Sequence, residues 1–170
     1  MTVALALDSQ TGTLCRAEER DIDQLMKWFP DQESVAIWGG PGFRYPFTRH
    51  SFAEDIGWRR TASFSLRNPF GNLAAFGQLY ERDARIHLAR LVTAPSLRGR
   101  GVGKQLIAEL MHQGMSMFSC REYSLFVFRD NLPAQRCYRS MGFELAEYPE
   151  GMPHADVCDY LTRPVATEEN

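Results

Sequence analysis

The residues best suited to bind an anion lie in a short glycine-rich segment near the middle of the chain. In order they are Arg98, Gly99, Arg100, Gly101, Val102, Gly103 and Lys104. Glycine lets a backbone approach an anion closely, and the first turn of a helix presents N–H groups that have no partner within the helix. A helical pattern of apolar residues begins at Val102. The segment therefore predicts a phosphate-type site where a loop enters a helix.

Two common phosphate-binding loops do not fit this segment. A Walker A loop needs glycine where Arg98 stands and serine or threonine where Gln105 stands. The dinucleotide fingerprint G-x-G-x-x-G begins at neither Gly99 nor Gly101. On the glycines alone, two interpretations remain: a cradle for another phosphate-bearing ligand, or a flexible turn without a ligand.

Three linked segments resemble the GNAT superfamily of acyl-CoA-dependent N-acyltransferases. Arg98-x-x-Gly101-x-Gly103 resembles the pyrophosphate-binding signature of that family. The strand before it (88–95) and the later Asn131-x-x-Ala134-x-x-x-Tyr138-x-x-x-Gly142-Phe143 look like the flanking segments of the family, in the same order and spacing. The resemblance is specific from about Ile86 to Phe143 and is architectural outside that range.

The resemblance implies acetyl-CoA as the acetyl donor, held without a metal ion. By the family's pattern, the amides of the loop from Arg98 to Lys104 hold the pyrophosphate. The pantetheine arm then lies between the strands 85–93 and 123–128. The other implied cosubstrate residues are Leu91, Val92, Thr93, Asn131, Ala134 and Tyr138. Asn131 could equally act as the cap of the helix that follows it.

Tyr138 matches the tyrosine that stands near the CoA sulfur in the family, which implies a role as a catalytic acid. A phenol with a pKa of about 10 is protonated at pH 7 and can donate a proton to the departing thiolate. The alternative role for Tyr138 is an aromatic side chain that packs its helix onto the sheet.

The catalytic base is less clearly marked. Many members of the family carry a glutamate eleven residues before the loop signature, where this chain has His87. Histidine has an ordinary pKa near 6.5 and could accept a proton at neutral pH. Three alternatives remain: a chain of waters and backbone carbonyls, another side chain, or a half-exposed structural role for His87.

The elements that must position these residues follow from apolar periodicity and turn residues. Strands are predicted at 13–17, 61–66, 73–80, 85–93, 123–128, 143–148 and 156–163. Helices are predicted at 21–29 (capped by Asp21), from Asp31 or Ser34, from Thr48 or Ser51 to about Gly57, at 102–118 and at 133–141, with a loop at 39–42. We therefore expect an α/β (α+β) fold. The resemblance implies a mixed, mostly antiparallel sheet of six to seven strands, flanked by four to five helices.

Length and composition predict one domain over residues 1–170, with disordered ends at about 1–10 and 165–170. The 170 residues have 44% apolar and 24% charged side chains and a net charge of −2. That charge disfavours a nucleic-acid partner. No segment is predicted to span a membrane, and the four scattered cysteines are typical of a cytoplasmic protein.

The expected function is an N-acetyltransferase that moves an acetyl group from acetyl-CoA to a primary amine of a small molecule, peptide or protein. By the family's pattern, the regions expected to contact the acceptor are Trp28 to Trp58 and Pro149 to His154. The aromatic residues of the first region could line an acceptor cleft or pack short helices. A non-catalytic acyl-CoA-binding or sensor domain is the alternative. The chain is expected to be a monomer or homodimer, and the sequence does not separate one acceptor amine from another.

Overall fold

The computed structural model describes residues 12–167. The strands, numbered β1 to β7, are Thr13–Arg16, Ala62–Arg67, Leu73–Arg82, Arg85–Thr93, Glu122–Phe128, Glu144–Ala146 and Cys158–Pro164. The helices, numbered α1 to α5, are Glu19–Met26, Gln32–Gly39, Arg49–Asp55, Val102–Met117 and Leu132–Ser140. A 3₁₀ turn, Pro95–Leu97, follows β4. The expected leader 1–10 and the tail residues 168–170 lie outside the described residues.

All seven strands belong to one mixed sheet in the order β1-β2-β3-β4-β5-β7-β6. The pairs β1–β2, β5–β7 and β6–β7 are antiparallel, whereas β4 and β5 are parallel. The parallel pair follows from the helical crossover α4, because a short turn can join only antiparallel neighbours. The predicted fold class is confirmed.

The chain divides into two compact units. In the described part, the first comprises residues 12–78 and 90–110, and the second comprises 79–89 and 111–167. The expectation of one domain over the whole chain stays a prediction. Between residues 12 and 167, no helix is both long and apolar enough to cross a membrane.

The core of the first unit is formed mainly by the helices α1, α2 and α3 and by aromatic side chains around them. Phe29 stacks on Trp38 with ring centroids 4.4 Å apart, and Trp38 stacks on Phe52 at 5.7 Å. The edges of Phe43 and Phe47 meet the ring of Phe52 at 5.3 and 5.0 Å. Most of the aromatic residues expected between Trp28 and Trp58 therefore pack this core.

The second unit is built on β5 and β7, which pair along their whole length from Glu122–Pro164 to Phe128–Cys158. Helix α4 lies close against the sheet at Gly114, where a Cβ atom would come within 2.6 Å of the Ile86 side chain. Tyr160 and Phe126 fill another part of the core, with ring centroids 5.0 Å apart. This packing holds β4 and β5 together at the register pairs Ile86–Tyr123 and His87–Ser124.

Asp21 is not the N-cap of α1 that the sequence predicts but the third residue of the helix, in a capping box with the N-cap Glu18. Helix α1 begins at Glu19, and Asp21 is buried in its first turn. The Asp21 carboxylate accepts hydrogen bonds from the Glu18 N–H at 2.8 Å, the Ser65 hydroxyl at 2.8 Å and Arg67 at 2.7 Å. A carboxylate that binds a strand in this way ties α1 to β2, and apolar periodicity gives no sign of such a contact.

Other element boundaries differ by a few residues. Helix α1 ends at Met26 instead of residue 29, and Gly39 is the last residue of α2 instead of part of a loop. Strand β6 is only three residues long. Strand β7 begins at Cys158, because a turn precedes it in which the Cys158 N–H donates to the His154 carbonyl at 2.9 Å.

Candidate active site

The glycine-rich loop connects the 3₁₀ turn after β4 to the first residue of α4. Gly99 has a φ of +75° and Gly101 a φ of +82°, a region in which only glycine is unstrained. A Cβ atom on either residue would meet nothing within 4 Å. These two glycines are therefore required by the backbone conformation, and the space around them is open.

The start of α4 has the backbone geometry that the predicted anion site requires. The Gln105 N–H donates to the Gly101 carbonyl at 3.1 Å, which closes the first helical turn. The N–H groups of Val102, Gly103 and Lys104 then have no carbonyl one turn earlier in the helix. Together with the positive end of the helix dipole, they favour a bound anion. The side chains of the three cationic residues are exposed at this end: Arg98, Arg100 and Lys104.

Strand β4 has an unusual backbone conformation at Arg90, just before the predicted pantetheine-binding residues 91–93. Arg90 has a φ of +48°, which is rare for a residue with a side chain. Its guanidinium donates to the Gln78 side-chain oxygen at 2.9 Å and to the Asp55 carbonyl at 3.1 Å. Gln78 is fully buried and donates in turn to the Ile56 carbonyl at 2.9 Å. These bonds hold the unusual backbone, and sequence reasoning missed Arg90 because nothing in its neighbours indicates a positive φ.

Asn131 is the N-cap of α5. Its side-chain oxygen accepts a hydrogen bond from the Ala134 N–H at 3.4 Å, and Pro133 occupies the first turn. The capping role considered from the sequence is thus confirmed. Contacts of Asn131 and Ala134 with pantetheine stay predictions.

Tyr138 lies half-buried on α5, with its ring 6.3 Å from that of Phe143. Burial raises the pKa of Tyr138, and the neighbouring Cys137 raises it further. The phenol is therefore protonated at neutral pH. Its hydroxyl makes no hydrogen bond within residues 12–167, so its proton is available to a ligand. A protonated phenol can donate a hydrogen bond or a proton to a ligand.

His87 is buried, with 2% of its surface exposed. Its Nδ1 atom lies 2.8 Å from the Ser124 hydroxyl oxygen, and its ring packs between Tyr80 and Phe126 at centroid distances of 5.0 and 5.1 Å. Burial, and then the charge of Arg82, lower the pKa of His87 to about 3. The half-exposed alternative is wrong. His87 is neutral at pH 7, and its side chain is a weak base there.

The candidate acceptor residues fall into two groups. In the first unit, Arg44 bonds Glu54 and Asp55 at 2.8 Å, so these two acids are paired with a cation. In the second unit, the loop after β6 is held by the Tyr148 hydroxyl, which donates to the Pro153 carbonyl at 2.7 Å. His154 in that loop is exposed and has a φ of +71°. An ordered loop of this kind can present side chains to a substrate.

A sequence profile of the acetyltransferase (GNAT) family matches residues 22–143. The spermine/spermidine N(1)-acetyltransferase of Bacillus subtilis strain 168 is 27% identical over 63 residues, as is a probable spermine N(1)-acetyltransferase of B. subtilis subsp. natto. Each alignment covers 37% of this chain and 41% of the relative. The match thus spans about two fifths of the length of these curated relatives.

Solved structures show the same fold. Spermidine N-acetyltransferase from Vibrio cholerae, in complex with CoA and spermine, is 17% identical with a TM-score of 0.70, covering 92% of this chain and 96% of that one. A phosphinothricin acetyltransferase from Sinorhizobium meliloti, in complex with acetyl-CoA, is 18% identical with a TM-score of 0.67 and coverages of 91% and 89%. The ribosomal-protein-S18-alanine N-acetyltransferase of Escherichia coli is 22% identical, with a TM-score of 0.63 and coverages of 94% and 98%.

Proposed function

The chain belongs to the acetyltransferase (GNAT) family, and on that premise we propose that it transfers the acetyl group of acetyl-CoA to a primary amine. The observation that carries the proposal is the backbone conformation at the start of α4. There, Gly99 and Gly101 adopt the positive φ values of an open loop, and the first-turn N–H groups have no partner in the helix. Structural neighbours bound to CoA and to acetyl-CoA support the same donor.

For donor binding, we assign the pyrophosphate to the N–H groups from Arg98 to Lys104. Multiple short backbone hydrogen bonds at a helix N-terminus bind phosphate without a metal ion. Exposed cationic side chains at the same end steer the ligand. The backbone of Leu91, Val92 and Thr93 is assigned to the pantetheine arm, and its position is fixed by the unusual backbone conformation at Arg90.

The amine must lose a proton before or during its attack on the thioester carbonyl. An alkyl amine has a pKa of about 10.4, so deprotonation at pH 7 costs about 4–5 kcal/mol. His87 was the side-chain candidate for this proton, but a pKa of about 3 makes it a weak base. A chain of waters and backbone carbonyls is therefore the favoured route.

The attack forms a nitrogen–carbon bond, and collapse of the intermediate breaks the carbon–sulfur bond of the thioester. The sulfur leaves as a thiolate, which requires a proton to become the CoA thiol. We assign this proton to the Tyr138 phenol, whose raised pKa keeps it protonated until the thiolate forms. Solvent then returns a proton to the phenolate.

The acceptor is a primary amine whose further chemistry differs among similar proteins. The curated relatives act on spermine or spermidine, whereas one structural neighbour acts on an alanine of a ribosomal protein and another on phosphinothricin. Because these acceptors share little besides the amine, similarity alone leaves the acceptor class open.

Replacement of Tyr138 by phenylalanine tests the catalytic assignment. Turnover should fall at least about tenfold, since a positioned general acid contributes roughly 10²–10⁴ in rate. Affinity for acetyl-CoA should stay nearly unchanged, because the phenol donates only in the chemical step. The measurement follows free CoA thiol with a panel of amines that includes polyamines, amino acids and peptides with varied N-termini.

Tyr123→Phe is the matched control. The Tyr123 hydroxyl is also buried, and it donates to the Met111 carbonyl at 3.3 Å, which is a structural contact. This variant should retain turnover while losing some stability. Equal turnover of Tyr138→Phe and the parent would remove the acid role from Tyr138. Binding of acetyl-CoA without thiol release from any amine would instead favour a non-catalytic acyl-CoA-binding domain.

A further inference from the structure

Arg82, the last residue of β3, has a half-buried guanidinium without a strong acceptor. Its side chain is 25% exposed, and its buried Nε–H has no hydrogen-bond partner. One Nη donates to the sulfur of Met152, which is a weak acceptor. The nearest carboxylate is that of Asp83, an exposed neighbour, at 3.7 Å.

Two other half-buried arginines have closer carboxylate partners. Arg67 bonds Asp21 at 2.7 Å, and Arg85 bonds Glu122 at 3.3 Å. Even the more exposed Arg129 bonds Asp159 at 2.9 Å and three backbone carbonyls besides. Arg90, by contrast, bonds the Gln78 side chain and the Asp55 carbonyl. Arg163 bonds the sulfur of Met111. A buried donor of a charged group that stays unpaired is costly, and such donors in native proteins usually have a functional reason. Arg82 combines a buried Nε–H without a hydrogen-bond partner with a sulfur atom as the acceptor of its Nη, so its charge is weakly paired.

The Arg82 side chain is partly exposed, although its Nε atom is buried. Its flat face packs over the Phe126 ring at 5.3 Å, which fixes the plane of the group. Planar guanidinium groups bind carboxylates through two parallel N–H donors. Tyr80 and His87 lie beside it, ring to ring at 5.0 Å, and the Tyr80 hydroxyl has no bond to any residue in the range 12–167. The site thus presents several donors within the second unit.

The charge of Arg82 also acts on its neighbours. Burial lowers the pKa of His87, and the charge of Arg82 lowers it further. Burial raises the pKa of Tyr148, and the charge of Arg82 offsets part of that rise. A positive field of this kind repels a second cation and attracts an anion. Polyamines carry several cations, whereas an amino acid or peptide carries a carboxylate.

We propose that Arg82 binds a carboxylate of the amine acceptor, in a site that it forms with Tyr80, His87 and Met152. The acceptor class is then an amino acid or short peptide that bears both an amine and a carboxylate. This inference rests on the proposed acetyl transfer and adds to it the substrate class. Arg82 acts as a specificity residue that binds substrate through charge, at a distance from the reacting amine.

The test compares acceptors that differ only in the carboxylate. Amino acids and dipeptides are each paired with their C-terminal amides, and spermidine serves as a cationic comparison. In the parent protein, kcat/KM should favour the acid over the amide by about tenfold or more, the range of one charge-assisted hydrogen-bond pair.

Arg82→Gln should remove most of this preference through the acceptor KM, with the acetyl-CoA KM unchanged. Arg82→Lys should restore part of the preference for the acid, since lysine keeps the positive charge but lacks the two parallel N–H donors of the guanidinium.

Arg16→Gln is the matched control variant. The Arg16 guanidinium packs over the Phe64 ring at 4.9 Å in the first unit, so this variant loses the same charge and a similar ring contact. It should keep the parent's preference for acids. Thermal unfolding of both variants checks that each remains folded.

Binding of the same acid and amide pairs in the presence of CoA, measured by calorimetry, tests Arg82 without turnover. Tighter binding of the acid by the parent but not by Arg82→Gln supports the proposal. Equal binding of acid and amide, an unchanged preference in Arg82→Gln, or a preference for spermidine would overturn it. Absence of thiol release from every amine would contradict the proposed function instead, and the binding comparison would still decide the role of Arg82.

Discussion

At the residue scale, burial shifts the pKa values of two polar side chains in opposite directions. It raises the pKa of Tyr138 and lowers that of His87, because a low-dielectric environment disfavours the charged form of each. Both side chains are therefore uncharged at neutral pH. Tyr138 is left as a proton donor, and His87 as a neutral hydrogen-bond partner of Ser124.

Replacement of His87 by glutamine should change how stability depends on pH. In the unfolded chain histidine binds a proton below a pKa of about 6.5, whereas folded His87 does so only near pH 3. Its contribution to stability is thus complete above pH 6.5 and is lost as the pH falls toward 3. Between pH 7.5 and 5.0 the parent should lose about 2 kcal/mol from this group that His87→Gln does not lose. Urea unfolding at the two pH values measures the difference.

His112→Gln provides the control for that experiment. His112 is exposed on α4, so its replacement should leave the pH dependence of the parent in place. If the parent and His87→Gln lose stability equally on acidification, the folded His87 must bind a proton in this range. That result would restore His87 as a candidate base.

The identities of the candidate residues could be predicted from the sequence, but their environments could not. Tyr138 and His87 were singled out because they match positions in the pattern of the GNAT family, and because their side chains can donate or accept a proton. The burial of His87 and the charge of Arg82 beside it depend on strand register, which brings β3, β4 and β5 together. A sequence pattern indicates which face of a strand is apolar, and it does not indicate which polar side chain that face encloses.

At the element scale, the segment from β4 to α4 carries most of the proposed donor site. Its bounds were predicted within one residue: β4 spans Arg85–Thr93 and α4 spans Val102–Met117. Turn residues and apolar periodicity sufficed there, because the strand is buried and the helix is amphipathic. The unusual backbone conformation at Arg90 was missed, since it depends on bonds to Gln78 and Asp55, which are 12 and 35 positions away.

Alanine at Gly101 should weaken acetyl-CoA binding. The φ of +82° is strained for alanine by about 1–2 kcal/mol, so the loop should relax and move the first N–H groups of α4. We expect stability to fall by about that amount and the acetyl-CoA KM to rise several-fold, with the acceptor KM little changed. Steady-state kinetics and thermal unfolding of Gly101→Ala measure the two effects.

Gly71→Ala is the control variant for the backbone strain that alanine would cause at Gly101. Gly71 has a φ of +81° and, like Gly101, would carry a Cβ with nothing within 4 Å. It lies in the turn between β2 and β3, outside the predicted loop. The two variants should lose similar stability, but only Gly101→Ala should change the acetyl-CoA KM. Equal kinetics in both would remove the loop from the binding site.

At the scale of the whole molecule, fold class was more predictable than substrate. Apolar periodicity and turn residues indicated seven strands and five helices, whereas the order of the strands in the sheet depends on pairs that are distant in sequence, such as β1 with β2. The acceptor depends on which charged groups stay unpaired in the folded chain. The sequence does not distinguish Arg44 from Arg82. In the structure, Arg44 bonds Glu54 and Asp55, whereas Arg82 has no comparable partner among the described residues.

Binding of CoA should stabilise the protein, and its pyrophosphate should account for much of the effect. Ligand at about 100 times its Kd adds about 2.7 kcal/mol to the stability of the folded state. For a chain of this length, that corresponds to a rise in Tm of about 5–10 °C. Pantetheine at the same concentration lacks the pyrophosphate and should give a much smaller rise. High salt should reduce the effect of CoA, because exposed cations at the start of α4 are screened. Equal shifts with CoA and pantetheine would mean that the loop from Arg98 to Lys104 holds no phosphate.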